Sequence, residues 1–361
     1  MDFRWITDAP TLQALVDGLP EGAPLFLDTE FMRERTFWPK LALVQINTGS
    51  EVVLIDVVAF DAGQGMAQLL ARHPLVMHSC SEDLEALRVC SGRLPVEIHD
   101  TQIAAALCGH DMQCSYQRLV SDMLGVDLPK DVTRSDWLKR PLSERQVEYA
   151  VQDVLHLPQL YEHFSARLEE LGRLSWWQEE CQRLLASAAN EARPEDAWRQ
   201  VKGAGGLQGV ALARLVALAG WREQQARQRD LPRGFVIRDP ELLSLAQQAP
   251  DSQAGLKALG LHPSLLRRDG ETLLQLLDEG ARQLPPTPLP GPPDPAQRAL
   301  AKRLKKVVAG RAEALALVPE ILMRRRWLES LINDAEHPPE PLGGWRREVI
   351  TGQLLEALNE Q

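Results

Sequence analysis

Short apolar runs separated by Pro, Gly and Ser fill the first sixty or so positions and predict strands over Leu25–Asp28, Leu41–Asn47 and Val52–Asp56. Strands this close in sequence predict an antiparallel start. A helical pattern follows over Gly63–Arg72, then a short apolar run, Leu75–His78, then a helix opening near Ser81 (SEDLEALRVC). Strand and helix alternate, the pattern of an α/β domain. From about Asp100 the pattern is mostly helical, and Ser143 with Gln146 has the spacing of a capping box that opens a helix after Pro141.

The pattern changes at the acidic, proline-bearing stretch Glu191–Ala197 (EARPEDA), which closes a first domain spanning 1–195. Leu207–Arg229 carries Leu, Ala and Val at helical spacing, and the turn Asp230–Gly234 and further helices extend to about Ala281. This predicts a second domain over 196–282. Gly203, Gly205, Gly206 and Gly209 leave open where its first helix begins. Seven prolines in the twelve residues of LPPTPLPGPPDP, Leu284–Pro295, forbid helix and predict an extended linker over 283–295. A third helical unit, 296–361, holds basic clusters at Lys302, Arg303, Lys305 and Lys306 and at Arg324, Arg325 and Arg326.

At 361 residues the chain exceeds one ordinary core, in keeping with these divisions. The formal net charge of −10 argues against a surface that grips nucleic acid everywhere, but leaves room for local basic patches. Five cysteines without a C-x-x-C pair disfavour a disulfide framework and a cysteine zinc site. The opening MDFRWITDAP lacks an apolar signal core and no run is long enough to span a membrane, so a cytoplasmic protein without a membrane partner is expected.

Candidate chemistry sits in three acidic places in the first domain. Asp28 and Glu30 flank Thr29, and on a strand both carboxylates leave the same face with no neighbouring cation. The helix start at Ser81 offers Glu82, Asp83 and Glu85 at the end of a buried strand, and spacing alone does not choose among them. Tyr149 and Asp153 are i and i+4 on the helix capped by Ser143, so phenol and carboxylate share a face. Carboxylates without thiols suit Mg²⁺ or Mn²⁺ better than Zn²⁺. Two such ions about 4 Å apart meet the needs of phosphodiester cleavage, and a tyrosine beside them can orient the attacking water. Asp100 reads as a cap for the helix that follows it. His73, His78, His99, His110 and His156 show no ligand spacing. In Lys130–Arg140 (KDVTRSDWLKR), cations and Trp137 fit either a loop touching a single strand or a packed ring with solvated charges.

The segments FLDTEFMRERTFWPKLALVQI, HSCSEDLEAL, HDTQIAAAL and RSDWLKRPLSERQVEYAVQDVLHL together resemble the ribonuclease D family, 3′-5′ exoribonucleases of the DEDD group in its tyrosine variant. The resemblance implies a ribonuclease H-like α/β exonuclease domain with a mixed sheet, followed by two small all-α HRDC-like domains. It implies Asp28 and Glu30 as the first motif, Asp83 as the second, and Tyr149 with Asp153 as the third. Asp28 would bridge two divalent ions, Glu30 and Asp153 would complete the hydrolytic site, and Asp83 would serve the second ion. The RDLPRGFVI turn and the later Leu259, Gly260, Leu261 resemble an HRDC domain, with 296–361 a diverged second copy holding Trp327 and Trp345 in its core. The implied partner is RNA, tRNA precursors at their 3′ ends; no protein partner follows. His99 stands where relatives more often carry an apolar residue. All five motif positions are filled, which weighs against an inactive RNA-binding protein. A DNA 3′-5′ exonuclease is the alternative from the same chemistry.

Overall fold

The computed structural model describes residues 2–128 and 135–359. Six strands form one mixed sheet in the order β1-β4-β3-β2-β5-β6, with β1 Phe3–Ile6, β2 Leu25–Met32, β3 Lys40–Asn47, β4 Val52–Ile55, β5 Leu75–Met77 and β6 Ile98–Asp100. β2, β3 and β4 are the antiparallel centre, while β1 joins β4, β5 joins β2 and β6 joins β5, all in parallel. The two edge strands were not among those the sequence pattern predicts, because four and three residues are too few to establish a period.

β2 does not stop at Asp28 as the end of its apolar run suggests but continues to Met32. Pairing with β3 extends that far, and backbone hydrogen bonds rather than side-chain polarity set where a strand ends. The register shifts between Glu30 and Phe31, whose partners are Leu43 and Leu41, so Ala42 is an extra residue on β3. Helices Gly63–Arg72 and Ser81–Ser91 appear where their patterns place them. Helix Glu144–Leu155 opens on the full capping box of Ser143 and Gln146 and packs across β2, β3 and β4.

The chain groups into two compact units rather than the four stretches its pattern suggests. The first contains 1–32, 40–189 and 294–361. The C-terminal stretch therefore does not stand apart: Leu304, Val308, Trp327 and Trp345 belong to the same buried apolar core as Leu27, Val44 and Phe164. Its first helix, Pro295–Ala314, starts at the last residue of the expected linker, since Asp294 caps it and proline is well suited to a first helical position. The second unit holds 33–39 and 190–293 around its own core, which includes Trp198, Leu215, Leu242 and Leu273. Its long helix is Gly209–Arg229, not Leu207–Arg229, because 204–206 forms a 3-10 turn after a left-handed Gly203. Asp230 ends that helix in a left-handed conformation, and its carboxylate accepts from the N–H groups of Phe37 and Trp38 at 3.0 Å each. Residues 284–294 carry neither helix nor strand, as the prolines require. Among the described residues no helix is long and apolar enough to cross a membrane.

Candidate active site

Antiparallel register puts Asp28 opposite Gln45 and Phe26 opposite Asn47, so these four side chains leave one face of the sheet together with Glu30. Helix Glu144–Leu155 covers that face: the Asn47 amide donates to the carbonyls of Val154 and Leu155 at 3.2 and 3.4 Å. Asp153, near the end of the helix, thereby meets the two acids of β2. One carboxylate oxygen from each of Asp28, Glu30 and Asp153 lies within 4.8 Å of the others. Tyr149, one turn earlier, shares a hydrogen bond with Asp153.

The alternation of β2 sends Thr29 to the opposite face, against helix Ser81–Ser91. There its hydroxyl donates to Asp83 Oδ1 at 2.5 Å. Burial distinguishes the three acids of this helix start: Asp83 is buried, Glu82 exposed and Glu85 half-buried. Asp83 lies outside the three-carboxylate group, yet its charge bears on Asp28. The turn leading to it has Ser79 at φ 60°, a left-handed conformation uncommon outside glycine. That turn is held by Asp100, whose carboxylate accepts from the N–H groups of Ser79 and Cys80 as well as capping Gln102 and Ile103. Asp100 therefore does cap its helix, and also braces the approach to Asp83.

Crowding of like charge sets the electrostatics. Burial, then Asp83, Asp153 and Glu30, push the Asp28 carboxyl well above the usual carboxylate range. Burial pushes Asp83 up to about 6, partly offset by the Thr29 hydroxyl. Burial and the charges of Asp153, Glu30 and Asp28 hold the Tyr149 proton on the phenol. Such a set of hard oxygens, short of positive charge, fits a divalent cation. In the metal-free protein Asp83 binds a proton below about pH 6, where the same residue in the unfolded chain is still ionised. Stability should therefore rise as pH falls from about 7.5 to 5, by about 1–2 kcal/mol from this group. Urea unfolding in chelator across that range checks it; a flat or opposite trend contradicts the assignment.

Supporting residues carried no signal in the sequence. Arg140 donates to both oxygens of Asp56 at 2.7 and 2.6 Å and to the carbonyls of Trp137, Lys139 and the extra residue Ala42. Trp137 is fully buried, its ring 6.1 Å from that of Tyr149, so of its two readings the packed one holds. Lys130–Arg134, in the same segment, lie outside the described residues. His78 engages the Thr101 hydroxyl and the Cys114 carbonyl, and among the described residues no histidine joins the acidic group.

The profile of a 3′-5′ exonuclease family matches residues 3–169, and that of the HRDC domain matches 211–277. Ribonuclease D of Pseudomonas paraeruginosa is 41% identical over 99% of this chain and 98% of its own length. Ribonuclease D of Escherichia coli is 36% identical, covering 100% of this chain and 99% of its own. The crystal structure of Escherichia coli RNase D, described as an exoribonuclease involved in structured RNA processing, superposes with a TM-score of 0.91 at 34% identity over 99% of both chains. Similarity of this depth runs through the sheet that bears the acids and through the helical part alike, and the chain belongs to the ribonuclease D family of 3′-5′ exoribonucleases.

Proposed function

We propose that this enzyme removes nucleotides one at a time from the 3′ ends of structured RNA, tRNA precursors in particular, releasing nucleoside 5′-monophosphates in the cytoplasm. The observation that carries the chemistry is the meeting of Asp28, Glu30 and Asp153 within 4.8 Å. Asp28, Glu30, Asp83 and Asp153 would hold two divalent ions, Mg²⁺ or Mn²⁺. When bound, such ions lower the pKa of water and relieve charge on the phosphate and the leaving oxygen. Asp28, on which the charges of the other three acids bear, would be the ligand shared by the group. Thr29 fixes Asp83 through one oxygen. Tyr149 acts as a phenol that orients the attacking water, because the surrounding carboxylates oppose its ionisation.

Family membership favours RNA over DNA. The HRDC domain at 211–277 is a helical nucleic-acid-binding module by resemblance, and 296–361 would be its diverged second copy. Lys302, Lys305 and Lys306 are exposed on helix Pro295–Ala314 and offer a face for phosphate contact. The test is hydrolysis of matched RNA and DNA strands, each labelled at the 3′ or the 5′ end, with Mg²⁺ and then with chelator. Immediate release of a 3′ label from RNA, abolished by chelator, is expected. Preference for DNA, release from the 5′ end, or turnover in chelator would contradict the proposal.

A further inference from the structure

Helix Glu144–Leu155 ends two residues after Asp153, and its last backbone groups are taken by side chains from elsewhere in the fold. In an unbroken helix the N–H of His156 would donate to the carbonyl of Gln152. Here one hydroxyl stands between them: Tyr116 Oη donates to Gln152 O at 3.0 Å and accepts from His156 N at 3.1 Å. A side chain inserted into the helical ladder opens that turn and bends the chain. The opened turn contains Asp153, and the next helix, Leu157–Glu170, starts directly after His156. Asn47 takes the carbonyls of Val154 and Leu155 on the other side. Tyr116 is itself fixed, as the first residue of a helix whose cap, Ser115, accepts from Arg118 N, and it is buried.

We propose that Tyr116 is a positioning residue for the reaction: its hydroxyl holds the turn open at the width that aims the Asp153 carboxylate at Asp28 and Glu30. This rests on the reading of Asp153 as a cation ligand. Removing the hydroxyl lets the N–H of His156 return to the carbonyl of Gln152, which closes the turn and withdraws Asp153. The loss then falls on cation affinity and turnover, not on RNA binding, because the clamp side chains Tyr116 and Asn47 are buried.

The experiment compares Tyr116→Phe and Asp153→Asn with the wild type in three measurements: calorimetric affinity for Mn²⁺, kcat and KM on one RNA, and melting temperature in chelator. For Tyr116→Phe the expected result is Mn²⁺ affinity lower by several-fold and kcat lower by about ten-fold, with KM within two-fold of wild type. If Tyr116→Phe binds Mn²⁺ and turns over like wild type while Asp153→Asn is inactive, the positioning role is wrong and the site reading stands. A lower melting temperature with unchanged Mn²⁺ affinity and kcat likewise overturns it, leaving only a packing role. If Asp153→Asn keeps wild-type turnover, the site reading itself falls. Should Tyr116→Phe not fold, Asn47→Ser, which loosens the same helix end, is read by the same measurements and the same outcomes.

Discussion

Asp28→Ala should give a folded protein that has lost at least about 10³-fold in kcat and is, without metal, more stable than the wild type. The two effects have one cause. Asp28 lies among Asp83, Asp153 and Glu30, so burial and like charge oppose its ionisation in the folded state. A carboxylate kept there costs folding energy and is useful only when a cation occupies the site, which is how strain at a functional position is expected to appear. Removing it relieves the repulsion and, with it, takes away one of the proposed cation ligands. Urea unfolding in chelator at pH 7.5 and single-turnover hydrolysis on the same preparation measure both halves. Retained activity would end the proposed mechanism. Lost activity with lowered stability in chelator would show that Asp28 is a packing residue. Tyr149→Phe separates ligand from water-orienting roles: kcat should fall about 10²-fold with Mn²⁺ affinity unchanged, since the phenol is a hydrogen-bond partner of Asp153 and no member of the carboxylate group.

The acidic residues were legible because their positions follow from two simple periods. A strand repeat of two puts Asp28 and Glu30 on one face, and an i, i+4 step on a capped helix aligns Tyr149 with Asp153. That these faces meet depends on sheet order, and order is a long-range property: β2 lies between β3 and β5, which no local pattern states. Asp83 was separable from Glu82 and Glu85 only by family resemblance; in the fold burial separates them. Residues that hold the site through backbone groups were hidden for a further reason. Asn47 and Tyr116 bond to carbonyls and N–H groups, which every residue has, so no complementary side chain marks their partners, and Arg140 finds its acid, Asp56, 84 residues away on another element. The unity of 294–361 with the first unit was hidden too, since a proline-rich linker signals a break in local structure and says nothing about where the chain returns.

That return is fixed by a buried ion pair, and Glu180→Ala should destabilise the first unit by about 3–5 kcal/mol. Arg346 is 1% exposed and places two guanidinium nitrogens on Glu180 at 2.6 and 3.0 Å. The same group donates to the carbonyl of Ile321 and lies 4.2 Å from the Trp345 ring centre and 4.9 Å from that of Trp327. Trp345 Nε1 also donates to Glu180, at 3.0 Å. Truncating the acid therefore strands a desolvated cation between two indoles and leaves an indole N–H without its acceptor, and both penalties fall in the core shared with the sheet. Glu180→Met with Arg346→Met removes both charges and should recover most of the loss, because the cost lies in the unpaired charge rather than in the missing attraction. Amide hydrogen exchange along a urea series follows peptides from 296–361 and from the sheet separately. Coincident transitions in the two, both shifted in Glu180→Ala, are expected. Separate transitions, with only 296–361 moving, would show that it folds as an independent domain.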